Sequence, residues 1–188
     1  MDVSIDITDK EIETNMLILR AWQESDLYDF FEYASVEGVG ELAGWEHHKS
    51  IDISREILSS FIAKKNEFAI VFKENNKVIG SLGLHDSWAN DDADYKDLTM
   101  KEIGYVLSKD YWGQGLTPEA VNGVISYCFN DCGLEAITSG HSLTNIQSKR
   151  VLEKCGFKYV KTREHYSESM GVIYQGMKYI LIKIGVTS

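Results

Sequence analysis

Two glycines one residue apart, Gly113 and Gly115 around Gln114, stand directly before Leu116, Thr117 and Pro118. Proline fits the first turn of a helix, where its missing N–H has no intrahelical partner, and Thr117 is a competent N-cap. The stretch VLSKDYWGQGLTPEAV, residues 106–121, reads as a strand, a tight glycine loop and a helix starting at Pro118. Such a junction aims several main-chain N–H groups and the positive end of a helix dipole at one small volume. It suits an anion, most often a phosphate. A second polar set opens a later helix. Thr144 and Gln147 have capping-box spacing, and Asn145 and Ser148 lie three apart on one face near the helix start. Glu102, on the strand before the glycine loop, is the best candidate for a general base, with His85 and His141 at strand ends as rivals.

The commoner phosphate sites are excluded by their missing marks. The dinucleotide fingerprint needs a third glycine where Pro118 stands, and no Gly-Lys-Ser/Thr of a P-loop is present. Neither a Gly-x-Ser-x-Gly elbow nor a His-Glu-x-x-His pair occurs. The three cysteines, Cys128, Cys132 and Cys155, are few and irregularly spaced, which suits a reducing compartment. Cys128 and Cys132 fall in an apolar helical pattern and read as core, so no metal is expected. The net charge of −10 argues against a nucleic-acid partner and is compatible with an amine-bearing substrate. The opening MDVSIDITDKEIET has no basic or apolar region of a signal peptide, and no apolar run spans a bilayer. A soluble cytoplasmic protein without a membrane partner is expected.

The elements that must position these residues follow from the pattern. With 188 residues, 44% of them hydrophobic and one proline, the chain reads as a single well-filled domain over 1–188. Residues 15–20 are strand-like, Ser25 is placed to cap a helix, and 36–50 form a loop with a short helical turn. A helix over 52–65 precedes a hairpin of strands 67–73 and 77–85, then an acidic connection over 86–98. A strand over 101–108 feeds the glycine loop. Its alternation puts Glu102, Gly104, Val106 and Ser108 on one face and Ile103, Tyr105 and Leu107 on the other. The helix after the loop stops at Gly133. A strand over 134–142, a helix from Thr144 to Gly156 and two closing strands complete an α+β chain with a mixed, largely antiparallel sheet.

Residues 106–120, the NIQSKRVLEKCGF segment and the frame from TNMLILRAW to the last strands resemble the GNAT superfamily of acetyl-CoA-dependent N-acetyltransferases. The similarity is greatest to the branch that acetylates ribosomal-protein N-termini at alanine or serine. The resemblance implies a sheet of about six to seven strands flanked by about four helices. It implies that Trp112, Gly113, Gln114, Gly115, Leu116 and Thr117 cradle the coenzyme A pyrophosphate, with Trp112 in place of the family's first polar residue. It implies that Asn145 bonds the pantetheine arm, while the main chain of Tyr105, Val106 and Leu107 pairs with it and with the thioester oxygen. Many relatives carry a proton-donating tyrosine seven residues after this asparagine. Leu152 stands there, which leaves Ser148 or a water as donor. Lys149 and Arg150 are within reach of coenzyme A phosphates or are exposed helix charges.

The implied reaction is direct attack of a neutral amine on the thioester. An α-amine has a pKa of about 7.7–8.0 and a lysine amine about 10.4, so deprotonating the second costs roughly 3.4 kcal/mol more. The expected acceptor is thus the α-amine of a protein or peptide. Small amines such as polyamines or antibiotics, and acyl-CoA binding without catalysis, stand as alternatives. Trp45, His47, Tyr166 and the YSESMG turn are the expected acceptor walls. Asp86, Asp91, Asp92, Asp94 and Asp97 form either a cation-attracting or a merely solvated loop. The chain is expected to act as a monomer or homodimer.

Overall fold

The computed structural model describes residues 3–167 and 170–185. An eight-stranded sheet in the order β1-β2-β3-β4-β5-β6-β8-β7 forms its centre. The strands are β1 (Glu11–Glu13), β2 (Leu17–Ala21), β3 (Glu67–Phe72), β4 (Lys77–His85), β5 (Met100–Leu107), β6 (Ala136–Ser142), β7 (Lys158–Ser167) and β8 (Val172–Ile182). All neighbours are antiparallel except β5 and β6. The α+β reading stands, with one strand more than expected. The added strand, β1, has three residues and two of them are exposed glutamates, so it carries no apolar alternation to read.

Among the described residues, five α-helices flank the sheet: α1 (Leu27–Ala34), α2 (Gly40–Ala43), α3 (Ile51–Lys64), α4 (Leu116–Asn130) and α5 (Ile146–Lys154). Three helix starts differ from the sequence expectation. Ser25 caps nothing. Glu24–Asp26 form a 3₁₀ turn, and the Asp26 carboxylate takes the Gln23 amide at 2.9 Å and both Arg20 guanidinium nitrogens at 2.8 and 2.9 Å. A charge-assisted fork of this kind outcompetes a serine cap. Helix α4 begins at Leu116 with Gly115 as its N-cap, which moves Thr117 inside the helix and Pro118 to its third position. Proline is still tolerated there, because that N–H also lacks an intrahelical acceptor. Asn145, not Thr144, caps α5 by accepting the Ser148 amide at 3.0 Å.

The two faces of the sheet bury different layers. Ile103 and Leu107 join Leu19, Phe68, Leu82 and Ile137 beneath α4 and α5, packed by Leu116, Val121, Val124 and Leu152. Val71, Val78 and Trp22 on the other face pack on Phe30, Tyr33 and Leu58 of α1 and α3. The alternation of β5 therefore assigns Ile103, Tyr105 and Leu107 to one layer and Glu102, Gly104 and Val106 to the other, as the sequence pattern requires. The Glu119 carboxylate ties the start of α4 to the β1–β2 turn, accepting from Thr14 Oγ1 at 2.5 Å and Met16 N at 2.7 Å.

The β4–β5 contact is close at Gly80, where an added Cβ would overlap the Val106 carbonyl oxygen. Gly80→Ala is expected to destabilise the fold by about 1–3 kcal/mol, because the strand backbone must shift to admit it. Urea denaturation followed by circular dichroism measures this.

Candidate functional site

Strands β5 and β6 pair in parallel only from Met100–Ala136 to Ile103–Ser139. Beyond that point β5 stays with β4 as far as Leu107, and β6 stays with β8 as far as Ser142. The Ser139 hydroxyl donates to the Ile103 carbonyl at 2.8 Å and closes the last rung. The Ser108 amide turns to β4, bonding the Ile79 carbonyl at 2.8 Å. Main-chain groups alternate along a strand, so those of Tyr105 and Leu107 face the fork. The result is a wedge in the sheet with hydrogen-bonding backbone on its β5 wall.

A cleft of about 700 Å³ opens on the α4–α5 side of this wedge. Tyr105, Val106, Leu107, Trp112, Gly113, Gly115, Leu116, Thr117, Asn145 and Ser148 all line it. Gly113 and Gly115 adopt φ of +77° and +79°, a region that glycine enters at little cost. Among the described residues, no protein acceptor takes the amides of residues 113–117. The loop thus presents a row of orphan donors at the start of a fifteen-residue helix. The side chains serve the loop differently from one another. The Trp112 indole N–H bonds the Leu107 carbonyl at 2.8 Å and pins the loop to the end of β5. Gln114 folds back to the Asp110 carbonyl at 3.3 Å and does not line the cleft. Leu116 is 1% exposed, so only its main chain is available to a ligand. Arg150 and Lys154 border the cleft, while Lys149 turns to Glu153 at 3.8 Å.

Asn145 is buried and bonded through both ends of its amide. Its oxygen caps α5 and its nitrogen donates to the Leu42 carbonyl at 2.9 Å. The residue therefore clamps α2 over the wedge. Leu152 is fully buried in the core and is no proton donor. The Tyr105 hydroxyl, which sequence reasoning passed over, donates to the Ser148 carbonyl at 3.2 Å, and burial raises its pKa. Tyr105 and Ser148 both stand where the first cleft meets a second.

The second cavity, of about 380 Å³, lies on the other side of the fork and is lined by Glu41–Gly44, His85, Glu102, Gly104, His141, Tyr174 and Lys178. Glu102 accepts the Trp88 amide at 3.1 Å and faces Lys178 Nζ at 3.4 Å. His141 is engaged at both nitrogens, by the Ser142 carbonyl at 2.7 Å and the Tyr179 hydroxyl at 3.2 Å, and burial lowers its pKa. That leaves Glu102 and His85 as the two candidate bases whose side chains are open to this cavity. The expected walls are corrected. Trp45 packs on His48 at 5.0 Å, His47 bonds Glu41 at 2.8 Å, and Tyr166 is 57% exposed; none of the three lines the cavity. Of the YSESMG turn, Met170 lines it, and Glu168 and Ser169 lie outside the described residues. Leu42 and Ala43 of α2 and Tyr174 of β8 form the walls instead. In the acidic connection, Asp86 pairs with Lys101 at 3.0 Å and Asp92 pairs with Lys161, and none of its aspartates reaches the cavity. No helix among the described residues is long and apolar enough to cross a membrane.

The chain matches the model of the acetyltransferase (GNAT) domain over residues 16–158. It is 28% identical over 177 residues to YoaA of Bacillus subtilis (strain 168), named an uncharacterized N-acetyltransferase, covering 92% of this chain and 96% of that one. It is 26% identical over 164 residues to the aminoglycoside N(6')-acetyltransferase type 1 of Klebsiella pneumoniae, covering 81% and 80% of the two chains. The ribosomal-protein-S5-alanine acetyltransferase of Vibrio fischeri superposes with a TM-score of 0.72 at 22% identity, over 96% of this chain and 100% of that one. The forked sheet, the unpaired amides at the start of α4 and these matches have one common explanation: the chain belongs to the GNAT family of N-acetyltransferases.

Proposed function

We propose that this enzyme transfers acetyl from acetyl-CoA to the α-amine of a protein or peptide N-terminus. The observation that carries the acceptor class is the charge inventory of the second cavity. Its lining carboxylates are Glu41 and Glu102, and each already has a cationic or amide partner. Lys178 adds a positive charge beside them. A polycationic acceptor needs several uncommitted carboxylates, whereas a single α-amine with a low pKa needs one oxygen to orient it.

The orphan amides of residues 113–117 fit a diphosphate, and Arg150 and Lys154 border the same cleft. When bound there, acetyl-CoA supplies the activated acyl group. The main-chain N–H groups of Tyr105 and Leu107 donate to the carbonyl oxygen as it gains charge. Glu102 orients the acceptor nitrogen through a carboxylate oxygen as the nitrogen's proton is drawn off to a base at the edge of the cavity. Ser148 lines both cavities, which supports its hydroxyl as the donor to the departing sulfur. The 26% identity to an aminoglycoside acetyltransferase supports a second reading, a small-molecule amine as acceptor.

Thiol release from acetyl-CoA, measured against Ser- and Ala-starting peptides, polyamines and aminoglycosides, separates the readings; turnover on the peptides alone is expected. Glu102→Gln should lower kcat by on the order of a hundredfold or more, with the largest loss below about pH 8, where the acceptor is still protonated. Gly115→Val forces a β-branched residue to positive φ at a costly position. It is expected to weaken coenzyme A binding at least about tenfold by calorimetry, since the amides lose their aim.

A further inference from the structure

A buried carboxyl lies next to the acceptor cavity and has no part in the chemistry above. Glu67 opens β3, where every residue is buried, and it is 8% exposed itself. It pairs across the sheet with Gly83, which in turn pairs with Gly104. The missing side chain at Gly83 is what admits it, since a Cβ there would overlap the carboxylate. Two residues along β4, on the same face, His85 points back over this gap. Its Nε2 lies 3.2 Å from Glu67 Oε1 and would sit 3.4 Å from a Cβ on Gly104. His85 and Gly104 both line the acceptor cavity, and Glu102 is the direct cross-strand neighbour of His85. Two cross-strand glycines thus make a slot on the sheet through which a carboxyl from β3 reaches the imidazole at the cavity's edge.

We propose that His85 is a catalytic residue that receives the proton of the acceptor ammonium, and that Glu67 is its positioning residue, sharing that proton across the Nε2–Oε1 contact. This rests on the acetyl-transfer reading of the same site. The proton count is as follows. The working pair is a neutral imidazole beside a carboxylate. The ammonium gives one proton to it, and the pair becomes singly protonated. The freed nitrogen lone pair forms the C–N bond, the C–S bond breaks, and the sulfur leaves with its electrons. The second nitrogen proton ends on that sulfur, and the pair returns its proton to solvent.

The surroundings favour such sharing. Burial pushes the Glu67 carboxyl up to about 8, against a smaller opposing pull from Lys64 of α3. Burial also lowers His85, with Glu102 and Asp86 raising it and Lys64 and Lys101 lowering it further. Tyr33 of α1, also near Glu67, is held protonated by its burial. A proton is therefore poorly held by the imidazole alone and better held by the pair. The value of about 8 for Glu67 lies beside that of an α-amine, about 7.7–8.0, which is where a general base works best. The sign for stability is fixed by the same burial. Stability from protonated Glu67 is complete below the ordinary carboxylate range and is lost as pH rises through about 8. Glu67→Gln removes that loss and leaves a folded variant to test.

Histidine ring signals of the full chain are followed by NMR from about pH 6 to about pH 9.5, with His85→Asn providing the assignment. The His85 signal is expected to respond to the titration of the Glu67 carboxyl in the unchanged chain. In Glu67→Gln that response should be lost, and the His85 signal should titrate at lower pH than in the unchanged chain. The same titration in both proteins overturns the shared proton, whether or not any amine is turned over. In thiol release with the best acceptor, His85→Asn should lower kcat about a hundredfold with coenzyme A affinity unchanged. The pH midpoint of kcat in Glu67→Gln should fall with the NMR midpoint. Full turnover by His85→Asn, or an unmoved kcat midpoint in Glu67→Gln, overturns the catalytic role. Failure of the unchanged chain on every amine counts against the acetyl-transfer reading and leaves the NMR result to decide the pair.

Discussion

The rung that Ser139 closes on Ile103 is the last one β5 and β6 share. Each strand afterwards keeps one partner and gives up the other, β5 remaining with β4 and β6 with β8. Giving up a ladder is costly when the exposed groups are buried without partners. Here they line clefts on the two sides of the sheet, and a ligand or water is able to satisfy them. Everything else at the site is arranged about this fork. The glycine loop hangs from the end of β5 by the Trp112 indole, and α5 stands over the fork with Asn145 at its head. Glu102 and His85 occupy the strand positions just before the parting.

Two kinds of recognition are separated by that geometry. On the α4–α5 side the contacts available to a ligand are mostly main chain: the amides of residues 113–117 and the β5 edge. Main-chain donors do not depend on side-chain identity, so the bulky Trp112 beside them leaves them in place. On the other side the contacts are side chains drawn from α2, β4, β5, β6 and β8. Acidic and basic side chains alternate along one face of the sheet, from Glu67 through His85 and Glu102 to Lys178, with separations of 3.2 Å at one end and 3.4 Å at the other. Glycines between them let the chain of charges lie flat.

Much of this was legible in the residues. The strand-loop-helix junction and the two faces of β5 follow from glycine, proline and apolar alternation, all of which are local signals. The helix starts were misplaced for a physical reason. Serine and threonine are generic caps, but Arg20 claimed Asp26, and Asn145 supplied a better acceptor than Thr144. The acceptor walls were not legible, because α2 has four residues and is placed by distant contacts such as Asn145 to Leu42. Glu67 was hidden for the opposite reason. It starts a strand of otherwise apolar residues and looks like an exposed strand end, and nothing local says that Gly83 will stand across from it. A charged residue leading an apolar strand, with a glycine two residues before a histidine in the next strand, was the available signal.

The Asn145 amide holds α5 through its oxygen and α2 through its nitrogen. The Ser167 hydroxyl fastens the same short segment two residues further on, donating to the Gly44 carbonyl at 2.9 Å. The α2 segment is therefore a bridge fastened at two points, Leu42 by the head of α5 and Gly44 by the end of β7. Exchanging bridge and hairpin residues would reshape the second cavity and leave the cleft on the other side, built largely of backbone, as it is.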